Sequence, residues 1–185
     1  MKKLVVAFVL TVMPFMAHAE TYTIESTHTY PNFIINHLGF SDTFGRFNKT
    51  TGKLEMDREK GMGSVEVVID VASLDTGFAK RDDHLRSPDF FNVVEFPEAT
   101  FKSTRVTYKG EGAEVVGNLT IKGITRSVTL NVAKINCGPN PFNKKPTCGM
   151  NATGTIKRSD FGITYGLPAV GDEVKLNIQI EAVKG

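Results

Sequence analysis

The sequence is poor in the residues that build metal and redox centres. It has only two cysteines, Cys137 and Cys148, and no tryptophan among its 185 residues. Two thiols cannot supply the four ligands of a structural zinc site. The histidines that follow residue 19, His28, His37 and His84, match no helical metal motif. We therefore predict no metal and no resident cofactor.

Signature motifs of enzymes are also missing. The chain contains no Gly-x-Ser-x-Gly turn, no phosphate-binding glycine loop, no His-Glu-x-x-His pair and no spare thiol. Gly110 and Gly112 flank a turn between strands, because no helix follows them. These absences predict a protein that is not an enzyme.

The only long apolar run lies at the beginning of the chain. Lys2 and Lys3 precede the apolar stretch 4–17, and Ala17 and Ala19 form a small-residue cleavage pattern. The stretch is shorter than the roughly 20 residues of a membrane-spanning helix. We predict a cleaved signal peptide over residues 1–19 and a soluble, secreted product; an uncleaved anchor is the alternative.

Cleavage would leave a chain of neutral overall charge. Removing 19 of 185 residues leaves 166, which is the length of one domain, residues 20–185. Without Lys2 and Lys3, 20 basic residues balance 20 acidic ones. Nucleic-acid binding needs a clustered positive excess, so we expect no nucleic-acid partner.

The two cysteines lie in one polar, proline-rich stretch. In an oxidising compartment Cys137 and Cys148 should form a disulfide. Closing so short a loop stabilises the fold by about 3 kcal/mol at most. We predict a local brace for a hairpin, without a redox role.

Apolar and polar residues alternate through most of the chain after residue 19. The alternation is clearest over 174–182, and period two places one side of a strand in a dry interior and the other in water. The same pattern predicts strands around 65–71, 119–121 and 128–132, with further strands at 22–25, 32–38, 44–56, 99–108 and 152–158.

One charged stretch interrupts the strands. Its composition predicts a helix over 78–86 and a short turn over 88–92, begun by Ser87 as an N-cap. Asp82 and Asp83 are both spaced to pair with Arg86 on one helix face. We expect the segment to cap one end of the fold; a phosphate site at Arg86 or His84 is the alternative.

About eight amphipathic strands with one short helix must bury their apolar faces against each other. They can do so as a sandwich or as a closed barrel. An eight-stranded barrel leaves room for side chains or for one slender ligand. Eleven phenylalanines follow residue 19, and composition alone favours a solid core over the wall of a cavity.

Several short motifs, spread from residue 37 to residue 174, change this balance. They are His37–Gly39, Gly45–Phe47, Ser73–Thr76, Arg81–Asn92, Phe96–Pro97, Gly117–Thr125, Arg158–Gly162 and Val170–Val174. In this order they resemble the YceI family of lipocalin-like lipid-binding proteins. The resemblance implies an all-β, extended eight-stranded antiparallel barrel, usually periplasmic and often homodimeric, that holds a polyisoprenoid or similar amphiphile.

The resemblance also implies which side chains line the barrel. It places Phe33, Ile35 and His37 inward. Together with the other rings and strand positions, the expected ligand-binding set is Phe33, Ile35, His37, Phe40, Phe44, Phe47, Leu85, Phe90, Phe91, Phe96, Phe101, Leu119, Ile121, Leu176 and Ile178. Pro31 stands where the family has a branched apolar residue, so its strand should begin late or lie at an edge.

These expectations define one function and two alternatives. The first is a binding protein that carries a long apolar ligand, such as an isoprenoid or quinone, for periplasmic transport, storage or scavenging. The alternatives are a barrel isomerase or hydrolase with His37 as acid or base, and a solid-core β-sandwich that binds a protein partner. For His37, contact with a polar head group and burial against polar neighbours are both open.

Overall fold

The computed structural model describes residues 19–185, so most of the predicted signal peptide lies outside the described residues. Eleven strands and one α-helix make up this part of the chain. The strands are β1 Glu20–Ile24, β2 Tyr30–His37, β3 Ser41–Phe47, β4 Thr50–Asp57, β5 Met62–Asp70, β6 Leu74–Asp75, β7 Glu98–Lys109, β8 Gly112–Ile121, β9 Ile124–Pro139, β10 Pro146–Lys157 and β11 Val170–Lys184, and the helix is α1 Ala79–Arg86. Short 3₁₀ turns cover Ser26–His28, Val71–Ser73 and Arg158–Phe161.

Eight antiparallel strands close into a barrel. Around the ring they run β1, β4, β5, β7, β8, β9, β10 and β11, and β1 closes the ring by pairing with β11 as well as β4. Closure leaves no open sheet edge in this ring. The strands therefore need no helices to cover unpaired edges, which agrees with the presence of one short helix. The predicted eight-stranded antiparallel barrel is confirmed, and the sandwich alternative was wrong.

The remaining strands extend the wall at one end. The long strand β11 pairs with β1 through Ala182 and with β2 through Leu176. A break over 25–29 separates β1 from β2, and Asn48 and Lys49 separate β3 from β4, where the sequence predicted one strand over 44–56. Strands β2, β3 and β6 follow β11 in the sheet in this order. They form an extension that continues the wall beyond the closed ring.

Pro31 occupies an edge-like position, as predicted. Its register partner is Ile178 of β11, whereas pairing with β3 begins only at Asn32. The proline therefore needs no ladder donor on the β3 side.

The barrel has two different ends. At what we call the open end lie the β2–β3 turn, the segment 71–97 with α1, the β8–β9 turn and the β10–β11 loop. At the closed end lie both described chain termini and the β4–β5, β7–β8 and β9–β10 turns. This division follows directly from the antiparallel order, since alternate connections return to the same end.

A compact plug fills the closed end. It consists of Tyr22, Ile24, Leu54, Cys148 and Ala182, all buried. Cys148 is disulfide-bonded to Cys137 between the paired strands β9 and β10. The predicted disulfide is confirmed as a brace of this hairpin.

The helical segment agrees with the sequence in its position and differs in its details. The helix α1 matches the predicted 78–86, and residues 88–91 form turns where a short turn was predicted, but the hydroxyl of Ser87 is buried without a hydrogen-bond partner. The predicted Ser87 cap was therefore wrong. Arg86 pairs with Asp83 at 3.2 Å, as predicted, whereas Asp82 turns inward to Thr76 instead of pairing with Arg86.

Candidate functional site

A cavity of about 420 Å³ runs inside the barrel from the open end towards the plug. This volume lies within the range of about 300–1,000 Å³ typical of small-molecule sites. Along its length the wall is built from the inward positions of the strands: Phe33, Ile35, Phe47, Leu54, Val65, Val67, Ile69, Ala99, Phe101, Val115, Leu119, Ile121, Val128, Leu130, Val132, Met150, Ala152, Ile156, Val174, Leu176, Ile178 and Ile180. Period-two alternation thus produces a continuous apolar lining.

Most of the side chains that the sequence singled out meet around this cavity. Twelve of them line it: Phe33, Ile35, His37, Phe47, Leu85, Phe90, Phe91, Phe101, Leu119, Ile121, Leu176 and Ile178. The structure places them in one space; their contact with a ligand stays a prediction.

Three predicted rings lie outside the cavity wall, and their placement was wrong. Phe40 lies in the β2–β3 turn and is 89% exposed. Phe44 pairs with Ile34 on the outer face of β3, one residue out of phase with the inward Gly45. Phe96 packs on the turn residue Gly123, 3.2 Å from where a Cβ would lie. An aromatic residue close to the barrel in sequence lines the cavity only when it lies on the inward phase of its strand.

Two glycines allow large rings to lie flat against the wall. A Cβ at Gly45 would lie 2.3 Å from the ring of Phe33, and a Cβ at Gly117 would lie 2.4 Å from the ring of Phe101. Glycine within a strand commonly marks such a close approach, and a ring that covers it restores the lost packing. The rings of Phe33 and Phe101 therefore widen the cavity that they line, because they occupy space beside the backbone.

Polar groups are confined to the mouth of the cavity. They include His37, Thr43, Thr76, Arg81 and His84. His37, the last residue of β2, is exposed, and its imidazole makes no hydrogen bond within residues 19–185. The interpretation of His37 as a buried, satisfied histidine was therefore wrong, and its imidazole is available at the mouth.

A hydrogen-bonded network fixes Arg81 beside the mouth. The Thr76 hydroxyl donates to the buried carboxylate of Asp82 and accepts from Nε of Arg81 at 2.7 Å. A second nitrogen of Arg81 donates to the Thr76 carbonyl at 2.7 Å. The guanidinium is thus held in one orientation on the cavity wall.

Aromatic contacts join α1 to the opposite side of the mouth. The ring of His84 lies edge-on to Phe90 at 5.0 Å and to Tyr165 at 5.1 Å. Nε2 of His84 lies 3.1 Å from the Asp89 carboxylate. Because Tyr165 belongs to the β10–β11 loop, these rings bridge two connections across the open end.

Arg158 organises the β10–β11 loop from inside. The side chain is buried, and its nitrogens donate to the carbonyls of Ile163, Tyr165, Val170 and Gly171 at 2.7–3.1 Å. Burial lowers the pKa of this guanidinium, partly offset by the nearby Asp172. One cation thereby satisfies two carbonyls of the β10–β11 loop and two at the start of β11, where the pairing with β2 is irregular.

Asp172 holds the start of the 3₁₀ turn beside Arg158. Its carboxylate accepts from the amide and the hydroxyl of Ser159, at 2.9 and 2.8 Å. These hydrogen bonds, with smaller attractions to Arg158 and Lys157, lower the pKa of Asp172. The charged form is therefore the one that the folded loop favours.

Sequence reasoning missed two parts of this site. The inward side chains Val65, Leu130 and Met150 carried the period-two signal and could have been chosen from it. Thr76 and Tyr165 had no such signal, because only the folding of two loops over the mouth brings them to the cavity.

Within residues 19–185 no helix is long and apolar enough to cross a membrane. Among the same residues, no three His, Cys, Asp or Glu side chains come together in a group that could hold a metal ion.

The fold and its cavity define a lipocalin-like barrel with an apolar interior that opens at one end. A model of the YceI-like domain matches residues 22–182, and the chain belongs to this family. Protein YceI of Salmonella arizonae is 40% identical over 190 residues, covering 100% of this chain and 99% of the relative.

Solved structures with similar folds agree. The crystal structure of BcnA from Burkholderia cenocepacia superimposes with a TM-score of 0.75 at 28% identity, covering 86% of this chain and 99% of BcnA. A polyisoprenoid-binding domain from Saccharophagus degradans, implicated in plant cell wall breakdown, superimposes with a TM-score of 0.64 at 17% identity, covering 91% of this chain and all of that domain. The latter likeness concerns the fold.

Proposed function

We propose that this protein binds one long apolar molecule, an isoprenoid, a quinone-type lipid or a similar amphiphile, inside its barrel. The observation that carries the proposal is the cavity of about 420 Å³, whose wall is apolar along its length and polar only at the mouth. The polyisoprenoid-binding description of the structurally similar Saccharophagus degradans domain supports the same class of ligand.

The energetics suit a hydrocarbon tail. Each CH₂ group transferred from water into the cavity gains about 0.8 kcal/mol. Ordering the tail and losing its free motion offset several kcal/mol of this gain. Affinity should therefore rise with tail length until the tail reaches the plug, and tails of similar width should be poorly distinguished.

The mouth can accommodate a polar head. His37 supplies an imidazole without a protein partner, and Arg81 supplies a guanidinium held in place by Thr76. Both are donors suited to a carbonyl, an amide or a phosphate oxygen. We propose that the tail occupies the barrel and the head remains at this end, without chemical conversion of the ligand.

Native mass spectrometry of protein purified without detergent tests the proposal directly. We expect a co-purified apolar molecule, released by organic solvent and identifiable by its mass. Protein that is empty under these conditions and does not take up farnesol would contradict the proposal.

A fluorescence measurement gives a second, independent test. The chain has no tryptophan, so Phe101→Trp introduces a single reporter into the cavity wall. Its emission should respond to added farnesol. The control is Phe142→Trp at the closed end, where emission should not change.

We also propose that the protein acts outside the cytoplasm, in the periplasm, as a carrier, reservoir or scavenger, and that it forms homodimers. The disulfide between Cys137 and Cys148 supports an oxidising compartment. Fractionation of the native host tests the location, and light scattering of the purified protein tests self-association.

A further inference from the structure

Exposed apolar side chains are concentrated around the mouth of the cavity. Of the eight large apolar side chains exposed within residues 19–185, six lie at or near the open end: Leu38, Phe40, Phe44, Phe78, Val94 and Tyr165. Only Met62 and Phe142 lie at the closed end. Clustering of this kind marks an interaction surface, whereas scattered single residues do not.

The connections that carry these residues touch each other around the mouth. The amide of Leu38 donates to the carbonyl of Ala169 at 3.1 Å, which joins the β2–β3 turn to the β10–β11 loop. From that loop, Tyr165 contacts His84 of α1. We define the apolar rim as Leu38, Phe40, Phe78, Val94 and Tyr165. The three connections that carry the rim are therefore joined to one another at the open end.

The β2–β3 turn holds an apolar residue where turn chemistry does not favour one. Leu38 and Gly39 both have positive φ, 57° and 76°, as the central residues of a type I′ turn. Asparagine adopts this conformation more readily than leucine, whose Cβ clashes there. The Asn36 side chain stabilises the turn by accepting from the Gly39 amide at 2.8 Å. Leu38 thus occupies a position that the backbone conformation disfavours for leucine, and its side chain is 47% exposed.

We propose that the apolar rim inserts into the surface of a lipid bilayer and places the cavity mouth against the acyl chains. This inference rests on the proposed function, because a ligand with a long tail resides in membranes and would otherwise have to cross water. Leucine and aromatic side chains on separate loops are the residues that proteins bury at the head-group boundary.

The charges of the open end are compatible with lipid phosphates. Asp83 is paired with Arg86, and Asp89 with His84. Lys80, exposed on α1, has no acidic partner within residues 19–185 and is available to a phosphate. Asp42 and Glu95, beside the rim, are exposed and have no basic partner within residues 19–185. A bilayer therefore meets apolar side chains flanked by charges of both signs, so docking should depend weakly on salt.

Flotation with vesicles tests the proposal. Purified protein is mixed with vesicles of phosphatidylethanolamine and phosphatidylglycerol, and the floating fraction is measured for wild type, for Leu38→Asn with Phe40→Ser, and for Phe142→Ser. Phe142 is a matched control, because it is 95% exposed at the closed end. We expect about a tenfold or larger loss of partitioning for the rim variant and no change for the control.

Each other outcome overturns the proposal. Wild type that does not float, a rim variant that floats equally well, or equal losses in both variants would exclude docking through the rim. If light scattering shows that wild type is dimeric and the rim variant monomeric, without any vesicle effect, the rim binds a second copy instead.

A parallel measurement separates this failure from failure of the proposed function. Uptake of farnesol from solution, followed by the fluorescence of Phe101→Trp in each background, does not require a membrane. Uptake should be equal in both backgrounds, whereas transfer of a long-tailed lipid from vesicles should be slower for the rim variant. Absence of uptake from solution would contradict the cavity function itself.

Discussion

The two ends of the barrel are built from different interactions. The closed end is packed with apolar side chains, including Leu54 and Ala182, and is braced by a disulfide. The open end buries a second apolar cluster, Phe47, Val71, Leu74 and Ala99, and adds cations that donate to backbone carbonyls, Arg158 in the β10–β11 loop and Arg86 behind α1. Apolar packing resists local opening, whereas polar contacts of exposed loops exchange readily with water. The closed end therefore combines apolar packing with a covalent link, whereas access to the cavity runs through loops whose contacts are partly polar.

The largest expected effect comes from truncating the plug. Leu54→Ala should lower the free energy of unfolding by about 3 kcal/mol, because Leu54 is buried in a packed cluster. Leu85→Ala, at a half-buried position of α1 at the open end, should lower it by only about 1 kcal/mol; both residues line the cavity, so both variants should weaken ligand binding. Urea unfolding of both variants measures the difference. Equal losses would show that the two ends contribute alike to stability.

Removal of the disulfide should separate stability from binding. Replacing Cys137 and Cys148 with alanine should lower the free energy of unfolding by up to about 3 kcal/mol, through the greater freedom of the unfolded chain. Farnesol uptake by the folded variant should remain unchanged, because this hairpin lies at the closed end. Loss of uptake in a variant that is still folded would contradict the independence of the two ends.

Replacing the glycine that lies against the ring of Phe101 should narrow the cavity. Gly117→Ala places a Cβ 2.4 Å from the ring of Phe101 and 2.7 Å from the carbonyl oxygen of Lys102, so the ring must move into the cavity and the neighbouring strand must shift. We expect ligand binding to weaken by about 1–2 kcal/mol, as for overpacked cores. Gly138→Ala is the control, since no atom lies within 4 Å of its Cβ position. Titration with farnesol measures both variants; equal affinities would show that the ring of Phe101 does not set the cavity width.

The smallest effect concerns acid sensitivity at the open end. Hydrogen bonds from Ser159 lower the folded-state pKa of Asp172, so its carboxylate stabilises the fold above the unfolded pKa of about 4. This contribution is lost as the pH falls through the lowered folded value. Asp172→Asn should therefore cost under about 1 kcal/mol at neutral pH and nothing at strongly acidic pH. A constant difference in stability across this range would contradict the assignment.

The strands followed from periodicity and the barrel from the family resemblance, but parts of the site followed from neither. Alternation over 174–182 correctly placed Leu176 and Ile178 on the cavity wall. The same rule, applied strictly to β3, would have placed Phe44 outside, because it is out of phase with Phe47. Asp82 turned to Thr76 because a loop hydroxyl came within reach, and spacing along a helix does not reveal such a loop. Periodicity thus predicts which strand residues line the cavity wall, whereas the residues at the entrance depend on how separate loops pack together.

The position of the chain ends has a practical consequence. The amide of Gly185 donates a hydrogen bond to the Thr21 carbonyl at 3.1 Å. Both ends of the described chain therefore lie side by side at the closed end, opposite the entrance of the cavity. A fluorescent protein or surface tether joined to the C-terminus would hold the barrel upright with its entrance unobstructed. Immobilised in this orientation on a sensor chip, the protein could receive cargo directly from vesicles flowing past.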